Sequence, residues 1–434
     1  MRRSILVSLC LFAVSVTSVV AQPDADRERS SRHYVLTGGR IQTVANGIVE
    51  GSLVIRDGRI VKIDPLNGTE DGAEVINCTG MTIYPGMIDA GTQLGLVEIG
   101  SLPETRDENE NGDLTPHAQA LTAVNPNSVA IPVTRVSGVT TVLTSPSGGM
   151  LPGTGALINL YGYTPEQTSV AGTRLLVLNF PSRARNGWWD RRTDEEIAKG
   201  FRDRMGKLDE VWDRAELYSR IDSAWNAGAS GDRMPEYVPE IQALLPAVRR
   251  EMKVLVEVDK AADIDSAIAW ITERNLDAVL SGVSEGWRVA DRIAESGLPC
   301  IVGPVLSIPR RASDRYDKAY ANAGLLSKAG VKVALRTDQA ANVRNLPFNA
   351  GFAAAYGMGQ QEALRAVTLN PAQIFGVDSL LGSIEPGKQA TFFVADGDPF
   401  EPATKVTRLF INGWDVPLES RHTDLYDEFL ERKP

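Results

Sequence analysis

The stretch YPGMIDAGTQLGL, Tyr84 to Leu96, joins an apolar strand pattern to two side-chain positions at its carboxyl end. Its first half belongs to the candidate strand TIYPGMID, and Gly91 and Gln93 follow, two residues apart. Because alternate strand residues share a face, these two positions lie on the same side. Neither is a good metal ligand, since glycine has no side-chain donor and a glutamine amide is a weak neutral one. The stretch is therefore more informative about fold than about function.

Apolar strand-like runs alternate with helical patterns through the middle of the chain, as repeated βα units require. One strand of an eight-stranded barrel is missing from this series. The segment from Asn186 to Arg233 is predicted to be a helical insertion, either a solvated helix packed by Trp188, Trp189 and Trp212 or a substrate lid. The candidate strands are TIYPGMID, VTTVLTS, RLLVLNF, KVLVEVD, DAVLSGV, PCIVGPV and KVALRTD.

Both ends of the chain have a different character, with short alternating strands and glycine turns. Residues 34–75 contain two such strands around Asp57-Gly58, a strong hairpin signal. The pattern returns in LGSIEPGKQATFFVADGDPF and VTRLFINGWDV, residues 381–400 and 406–416. We therefore expect the two distant segments to complete one β structure around the central domain.

Several blocks resemble the metal-dependent amidohydrolase superfamily. YPGMIDAG resembles the PG-[LM]-ID-x-H-x-H signature, and SGVTTVLTSPSGG, GTGALINL and VALRTDQAANVRNLPFNAGFAAAYGM also fit. The block EALRAVTLNPAQIFGVDSLLGSIEPGKQATFFV is the most specific, and the ensemble is similar to the secreted imidazolonepropionase-related and dihydroorotase-like branch. The resemblance implies an α/β fold, a (β/α)8 TIM-type barrel with a composite β-sandwich built from both chain ends. The expected divisions are a signal peptide at 1–21, sandwich at 22–84, barrel at 85–376 and sandwich at 377–434.

The resemblance also identifies where the family holds its metal, at the carboxyl-terminal end of the barrel. Gly91 and Gln93 stand where the first strand of the family carries two histidines. Glu257 and Ser281 occupy the positions of the strand-five and strand-six histidines, and no lysine fits the bridging position. Asp338 matches the family aspartate that binds metal and relays a proton, so it is the catalytic candidate. The other four positions are predicted to line a substrate pocket.

Other polar features have weaker claims to a functional role. Three histidines occur, and His117 is a candidate base or substrate contact on a loop above the barrel, or a loop-anchoring hydrogen bonder. The acidic loop from Glu104 to Pro116 is expected to be solvated, since its spacing does not match a calcium loop. The glycine-rich turn from Ser145 to Gly155 is expected to be mainly structural, with anion binding by its amides as the alternative.

The amino terminus has the pattern of an export signal. Arg2 and Arg3 precede an apolar run from Ile5 to Val20 and a small-residue cleavage site at Val19-Val20-Ala21. This order predicts a periplasmic or secreted protein with no membrane attachment after cleavage, and a membrane anchor is the alternative. The formal net charge of −10 opposes binding to nucleic acid. Cys78 and Cys300 are expected to be buried free thiols, with a disulfide as the alternative.

Three interpretations of function remain open. The first is a degenerate amidohydrolase, with no cofactor expected, whose cavity binds a small molecule or which binds a homologous amidohydrolase. The second is a divergent hydrolase of non-peptide C–N bonds such as cyclic amides, with Asp338 as general base and one divalent metal held by Glu257 and Asp89, or by Asp338 and Glu257. The third is an extracytoplasmic structural or interaction subunit. Homo-oligomers are common in this family and are compatible with each interpretation.

Overall fold

The computed structural model describes residues 29–66, 68–185, 189–228, 235–309, 311 and 313–432, so the predicted leader and Trp188 lie outside the described residues. Within these residues, sixteen strands form two eight-stranded sheets. The strands are β1 (His33–Gln42), β2 (Ile48–Arg56), β3 (Arg59–Asp64), β4 (Glu74–Asn77), β5 (Thr82–Pro85), β6 (Met87–Thr92), β7 (Val139–Thr144), β8 (Gly153–Asn159), β9 (Ser169–Asn179), β10 (Lys253–Val258), β11 (Ala278–Gly282), β12 (Cys300–Val302), β13 (Val333–Leu335), β14 (Phe392–Ala395), β15 (Val406–Ile411) and β16 (Trp414–Asp415).

The helices lie mostly between the barrel strands. They are α1 (Ala120–Ala123), α2 (Ala130–Arg135), α3 (Pro165–Thr168), α4 (Asp194–Asn226), α5 (Pro239–Gln242), α6 (Leu245–Val248), α7 (Ala261–Glu273), α8 (Ala290–Ser296), α9 (Lys318–Lys328), α10 (Leu346–Ala353), α11 (Gln360–Ala366), α12 (Leu369–Ile374) and α13 (Arg421–Glu431). Short 3-10 turns occur at Pro103–Thr105, Gly286–Arg288 and Val343–Asn345, and a π turn at Ala354–Met358. No helix in the described part of the chain is long and apolar enough to cross a membrane.

The barrel sheet runs from β6 to β13 in chain order. At its two ends, the Asp338 amide donates to the Gly91 carbonyl oxygen at 3.0 Å, which brings the carboxyl ends of β13 and β6 together. The predicted strand TIYPGMID divides at Gly86 into β5 and β6, which belong to different sheets. A Cβ at Gly86 would lie 2.1 Å from the Thr140 hydroxyl oxygen, so only glycine fits where the chain changes sheets.

The strand missing from the sequence series is β8, GTGALIN. It pairs antiparallel with β7 and with β9, so the barrel is a mixed sheet rather than eight regular βα units. Residues 145–152 connect β7 to β8, and this connection is too short for the crossover that a parallel pair needs. The predicted TIM-type barrel is confirmed, with this one reversal.

The barrel interior is filled by alternate residues of its strands. Leu255, Val279, Ile301 and Ala334 belong to one buried cluster inside the barrel. The residue two places later on each strand is Glu257, Ser281, Gly303 and Arg336. Because strand residues alternate between faces, these four form the next inward layer, at the carboxyl-terminal mouth.

The second sheet is built from both chain ends, as predicted. Its strands run in the order β16-β15-β14-β5-β1-β2-β3, with β4 also paired to β1. The predicted Asp57-Gly58 turn joins β2 to β3, and both residues have positive φ, as a tight hairpin turn requires. Its core contains the stacked rings of Phe392 and Phe410, whose centroids lie 4.7 Å apart.

The predicted helical insertion is α4, a 33-residue helix that begins with a capping box between Thr193 and Glu196. Its Trp212 is fully buried against Trp270 of α7, with ring centroids 5.2 Å apart. Trp189, by contrast, is exposed. The helix is therefore packed on the barrel wall by one of its predicted tryptophans.

Candidate functional site

Arg336 occupies the centre of the barrel mouth. Its Nη1 donates to both carboxylate oxygens of Glu257 at 2.7 and 2.9 Å and lies 2.7 Å from the Ser281 hydroxyl oxygen. Its Nη2 lies 3.4 Å from Asp338 Oδ2, and its Nε donates to the Gly303 carbonyl oxygen at 3.4 Å. The two carboxylates predicted for the site therefore meet at one guanidinium, which the sequence analysis did not identify.

Gly91 provides the space that the Arg336 side chain fills. A Cβ at this position would lie 2.9 Å from Cδ, 3.5 Å from Cβ and 3.7 Å from Nη1 of Arg336. All three of the nearest atoms thus belong to the arginine. No side chain larger than glycine fits here unless Arg336 moves.

The electrostatics of the mouth keep Arg336 charged. Only 8% of its side chain is exposed, and this burial acts to lower its pKa. The carboxylates of Glu257, Asp338 and Asp259 outweigh burial, so the pKa of Arg336 is raised above its ordinary value. A buried cation that is surrounded by carboxylates is stabilised by them and would be strongly destabilised without them.

Asp89 is a fully buried carboxyl group beside the mouth. It accepts hydrogen bonds from the Gly91 amide at 3.0 Å and from the Thr337 hydroxyl at 2.5 Å. Burial raises the pKa of Asp89 to about 7, and these hydrogen bonds and Arg336 oppose that rise. Asp89 therefore links the end of β6 to the segment after β13.

Asp89→Asn is expected to flatten the pH dependence of stability. Since the folded-state pKa of about 7 lies above the ordinary value of 3.8, the folded state keeps a proton that the unfolded chain loses. This stabilisation is full below about pH 4 and is lost as the pH rises to about 7. At about 1.4 kcal/mol per pK unit it is on the order of 4 kcal/mol. Urea unfolding across this range measures it, and exposed Asp378→Asn is the control. An unchanged slope in Asp89→Asn would contradict the prediction.

A cavity of about 580 Å³ opens above Arg336. Four predicted site residues line it, namely Gly91, Gln93, Glu257 and Asp338. Ser281 is buried below and contacts Arg336 instead. His117 is exposed in a turn and does not line the cavity, so the structure does not bring it to the other candidates. The remaining lining residues are Thr92, Ser145, Pro146, Ser147, Gly148, Asn179, Phe180, Ser182, Ala184, Arg185, Leu255, Val258, Asp259, Lys260 and Arg336.

The glycine-rich turn after β7 forms one wall of this cavity. Asn179 Nδ2 donates to the Gly149 carbonyl oxygen at 2.8 Å and also to the Gly148 carbonyl oxygen, which fixes the turn against β9. The acidic loop packs behind it, because the Ser147 amide donates to the Glu108 carbonyl oxygen at 2.7 Å. The Glu108 side chain is buried and accepts from Arg106, so the expectation of a solvated loop is wrong at this residue.

A second cavity of about 430 Å³ lies on the other side of Asp338. Trp287 and Lys318 line it, with the ammonium nitrogen of Lys318 4.6 Å from the ring centroid. Asp338, whose side chain is 39% exposed, is the one described residue that borders both cavities. It is therefore accessible from two sides.

The residues at the mouth do not fit a divalent metal. Within the described residues, no group of three or more His, Cys, Asp or Glu side chains could hold a metal ion. The carboxylates of Glu257 and Asp338 face the guanidinium of Arg336, which would repel a second cation placed between them. Gly91 and Gln93 add no imidazole. Among the described residues, the mouth therefore offers no set of side chains suited to binding a divalent metal ion.

Comparisons with known proteins agree on the fold. The chain matches the Amidohydrolase family over residues 288–415. It is 24% identical over 395 residues to Amidohydrolase tasK of Hapsidospora irregularis, covering 84% of this chain and 39% of that protein. It is 36% identical over 109 residues to an imidazolonepropionase of Syntrophobacter fumaroxidans, covering 24% of each chain. The chain thus spans well under half the length of these curated relatives.

A solved structure gives fuller coverage. An amidohydrolase from Thermotoga maritima MSB8 superposes with a TM-score of 0.78 at 25% identity. The match covers 88% of this chain and 99% of that one. The barrel and the second sheet are therefore shared across nearly the full length of that protein.

Proposed function

Since the chain belongs to the metal-dependent amidohydrolase superfamily and Arg336 fills the centre of its barrel mouth, we propose that it binds a small molecule there without metal-dependent hydrolysis. The observation that carries the proposal is the pairing of the Glu257 and Asp338 carboxylates with this guanidinium. In this proposal the guanidinium occupies the place where a metal ion would otherwise make a hydrolytic nucleophile beside the two carboxylates.

A metal ion in such a site would activate the water molecule that attacks the substrate. A catalytic metal lowers the pKa of bound water from about 15.7 to about 7. Without it, forming hydroxide at neutral pH is harder by on the order of 12 kcal/mol. Asp338 can accept a proton, but one carboxylate held beside a guanidinium does not replace that effect.

The cavity supports the binding part of the proposal. Its volume of about 580 Å³ is in the range of small-molecule sites, and it lies at the mouth where this fold places its ligands. Lys260 and Arg185 bring positive charge to its lining, and Glu257, Asp259 and Asp338 bring negative charge. A ligand with both polar and charged groups suits this lining.

A divergent hydrolase of non-peptide C–N bonds is the second candidate. The accessibility of Asp338 from two cavities favours it, because a general base must reach its substrate. In that case Asp338 would act on a substrate such as a cyclic amide.

We further propose that the protein works in the periplasm or outside the cell, by the export pattern of residues 1–21. Its partners are then a small-molecule ligand and, as a further proposal, a homologous amidohydrolase or a second copy of the chain. Its acidic charge makes nucleic acid an unfavourable partner.

The test combines metal content, turnover and binding. Protein purified without chelator is expected to contain well under one zinc per chain and to hydrolyse cyclic amides far more slowly than about 1 per second. A panel of cyclic amides and N-acyl amino acids is expected to include compounds that raise the melting temperature. Ala184→Trp, which narrows the cavity, should abolish that rise, and exposed Ala403→Trp should not. If the protein contained one zinc per chain and Asp338→Asn abolished turnover, the binding proposal would be wrong. The divergent hydrolase would then be the better description.

A further inference from the structure

We infer that the Arg336 guanidinium takes the place of the superfamily's metal as the group that ties the barrel strands together, and that Gly91 is the residue that admits it. The inference goes beyond ligand binding, because it concerns what holds the mouth together whether or not a ligand is bound.

Arg336 connects several strands of the barrel. It follows β13, and its guanidinium reaches Glu257 at the end of β10 and Ser281 near the end of β11. Its Nε donates to Gly303, just after β12. The side chain also lies against Gly91 of β6. Arg336 therefore links its own strand to four others of the eight barrel strands at their carboxyl ends.

The residues that Arg336 contacts correspond, by the resemblance to the superfamily, to positions of metal ligands. Glu257, Ser281 and Asp338 stand at positions where the superfamily places metal ligands, and so does Gly91. A divalent cation at that point would bind the strand ends through their side chains. Here a guanidinium with a fixed positive charge and several directed N–H donors contacts the same positions. The replacement keeps a cation at the centre, but one that cannot activate water.

Gly91 and Arg336 form a matched pair. The histidine that the family carries at the Gly91 position begins with a Cβ, and this atom alone would lie 2.9 Å from Arg336 Cδ. A histidine at position 91 and Arg336 in its present position therefore do not fit together unless one of them shifts. The loss of the histidine and the presence of the arginine are two parts of one arrangement.

A double-mutant cycle on melting temperature tests this coupling. Gly91→Ala in the wild-type background is expected to lower the melting temperature by about 5 °C, because the three atoms nearest to its Cβ all belong to Arg336. Arg336→Ala is expected to lower the melting temperature by about 10 °C. Adding Gly91→Ala to Arg336→Ala should cost less than about 1 °C, since Cδ is gone and the Cβ that remains at position 336 lies 3.5 Å away, an ordinary van der Waals contact.

Gly39→Ala, in β1 of the second sheet, is the matched control. Its Cβ would lie 3.0 Å from Cys78 Cβ and 3.4 Å from Ile83 Cδ1, a contact about as close as the one at Gly91, so its effect should be the same in the wild-type and Arg336→Ala backgrounds. An equal cost of Gly91→Ala in both backgrounds would overturn the inference. That outcome would leave the proposed ligand binding intact, because the Ala184→Trp comparison tests it separately.

A second measurement covers the case in which Arg336→Ala does not fold. Hydrogen exchange in Gly91→Ala, which retains Arg336, is expected to accelerate together in the segments that contain Glu257, Ser281 and Asp338. Gly39→Ala should leave these three segments unchanged. Faster exchange confined to the segment around Gly91 would contradict the inference that Arg336 holds the strands together. Faster exchange in all three segments at once would support it.

Discussion

Replacing Glu257 by alanine is expected to lower the free energy of unfolding by about 3–5 kcal/mol, because it leaves the buried Arg336 guanidinium without its main partner. Asp338 remains, but at 3.4 Å and 39% exposed it stabilises the charge less than Glu257 does. Urea denaturation of the two proteins measures the difference. Glu257→Gln, which keeps an oxygen for Nη1 but loses the charge, should fall between them.

The surface ion pair of Glu362 and Arg365 provides the control. Its atoms are 3.7 Å apart and its Glu362 side chain is 48% exposed, so Glu362→Ala should change the free energy of unfolding by less than about 1 kcal/mol. If Glu257→Ala lowered the free energy of unfolding no more than Glu362→Ala does, the buried Arg336 would not depend on the Glu257 carboxylate. The inference that this guanidinium holds the barrel mouth together would then lose its support.

Much of the fold can be predicted from local sequence patterns. The seven apolar runs between residues 82 and 338 each overlap a barrel strand, because fully buried strands read as continuous apolar stretches. β8 was missed because GTGALIN contains two glycines and follows β7 after only eight residues. A regular alternation of strands and helices does not predict an antiparallel strand there. The reversal depends on pairing across the barrel, which no local pattern encodes.

The candidate site could be predicted only in part. Gly91, Gln93, Glu257 and Asp338 were found because family positions at strand ends meet at one mouth. Arg336 could not be found in this way, because a cationic guanidinium is not a metal ligand and matches no ligand position of the family. A signal was present, since Arg336 lies two residues after the inward-facing Ala334 and so continues the same face.

Contacts between distant segments explain what sequence could not show. Asp263 at the start of α7 is buried, and it accepts from Ser182 Oγ at 2.6 Å and from the Arg183 amide at 3.1 Å. These bonds fix the loop after β9 that contributes Ser182 to the cavity wall. They join residues about eighty positions apart. A pattern read along the chain has no means of pairing them.

The Gly91→His, Gln93→His double variant, which restores the family's histidine pair, is expected to be strongly destabilised and to bind no more zinc than the wild type. The substitution at Gly91 would place a Cβ 2.9 Å from Arg336 Cδ, and the imidazole beyond it would need the space of the guanidinium. Overpacking of this kind typically costs about 1–3 kcal/mol, and displacing the buried Arg336 from Glu257 adds to it. Gln93→His alone should be tolerated, because Gln93 lines the open cavity.

Adding Arg336→Ala to that double variant is expected to reverse the outcome for zinc. It removes the competing cation and frees the carboxylates of Glu257 and Asp338, so two imidazoles and two carboxylates could face one ion. Zinc per chain, measured by elemental analysis after dialysis, should rise several-fold from the double to the triple variant. Restored hydrolysis is not expected, because the strand-six histidine and the bridging ligand are still missing. Stoichiometric zinc in the double variant would show that Arg336 yields its place readily, and the exclusion between Arg336 and a side chain at position 91 would then be wrong.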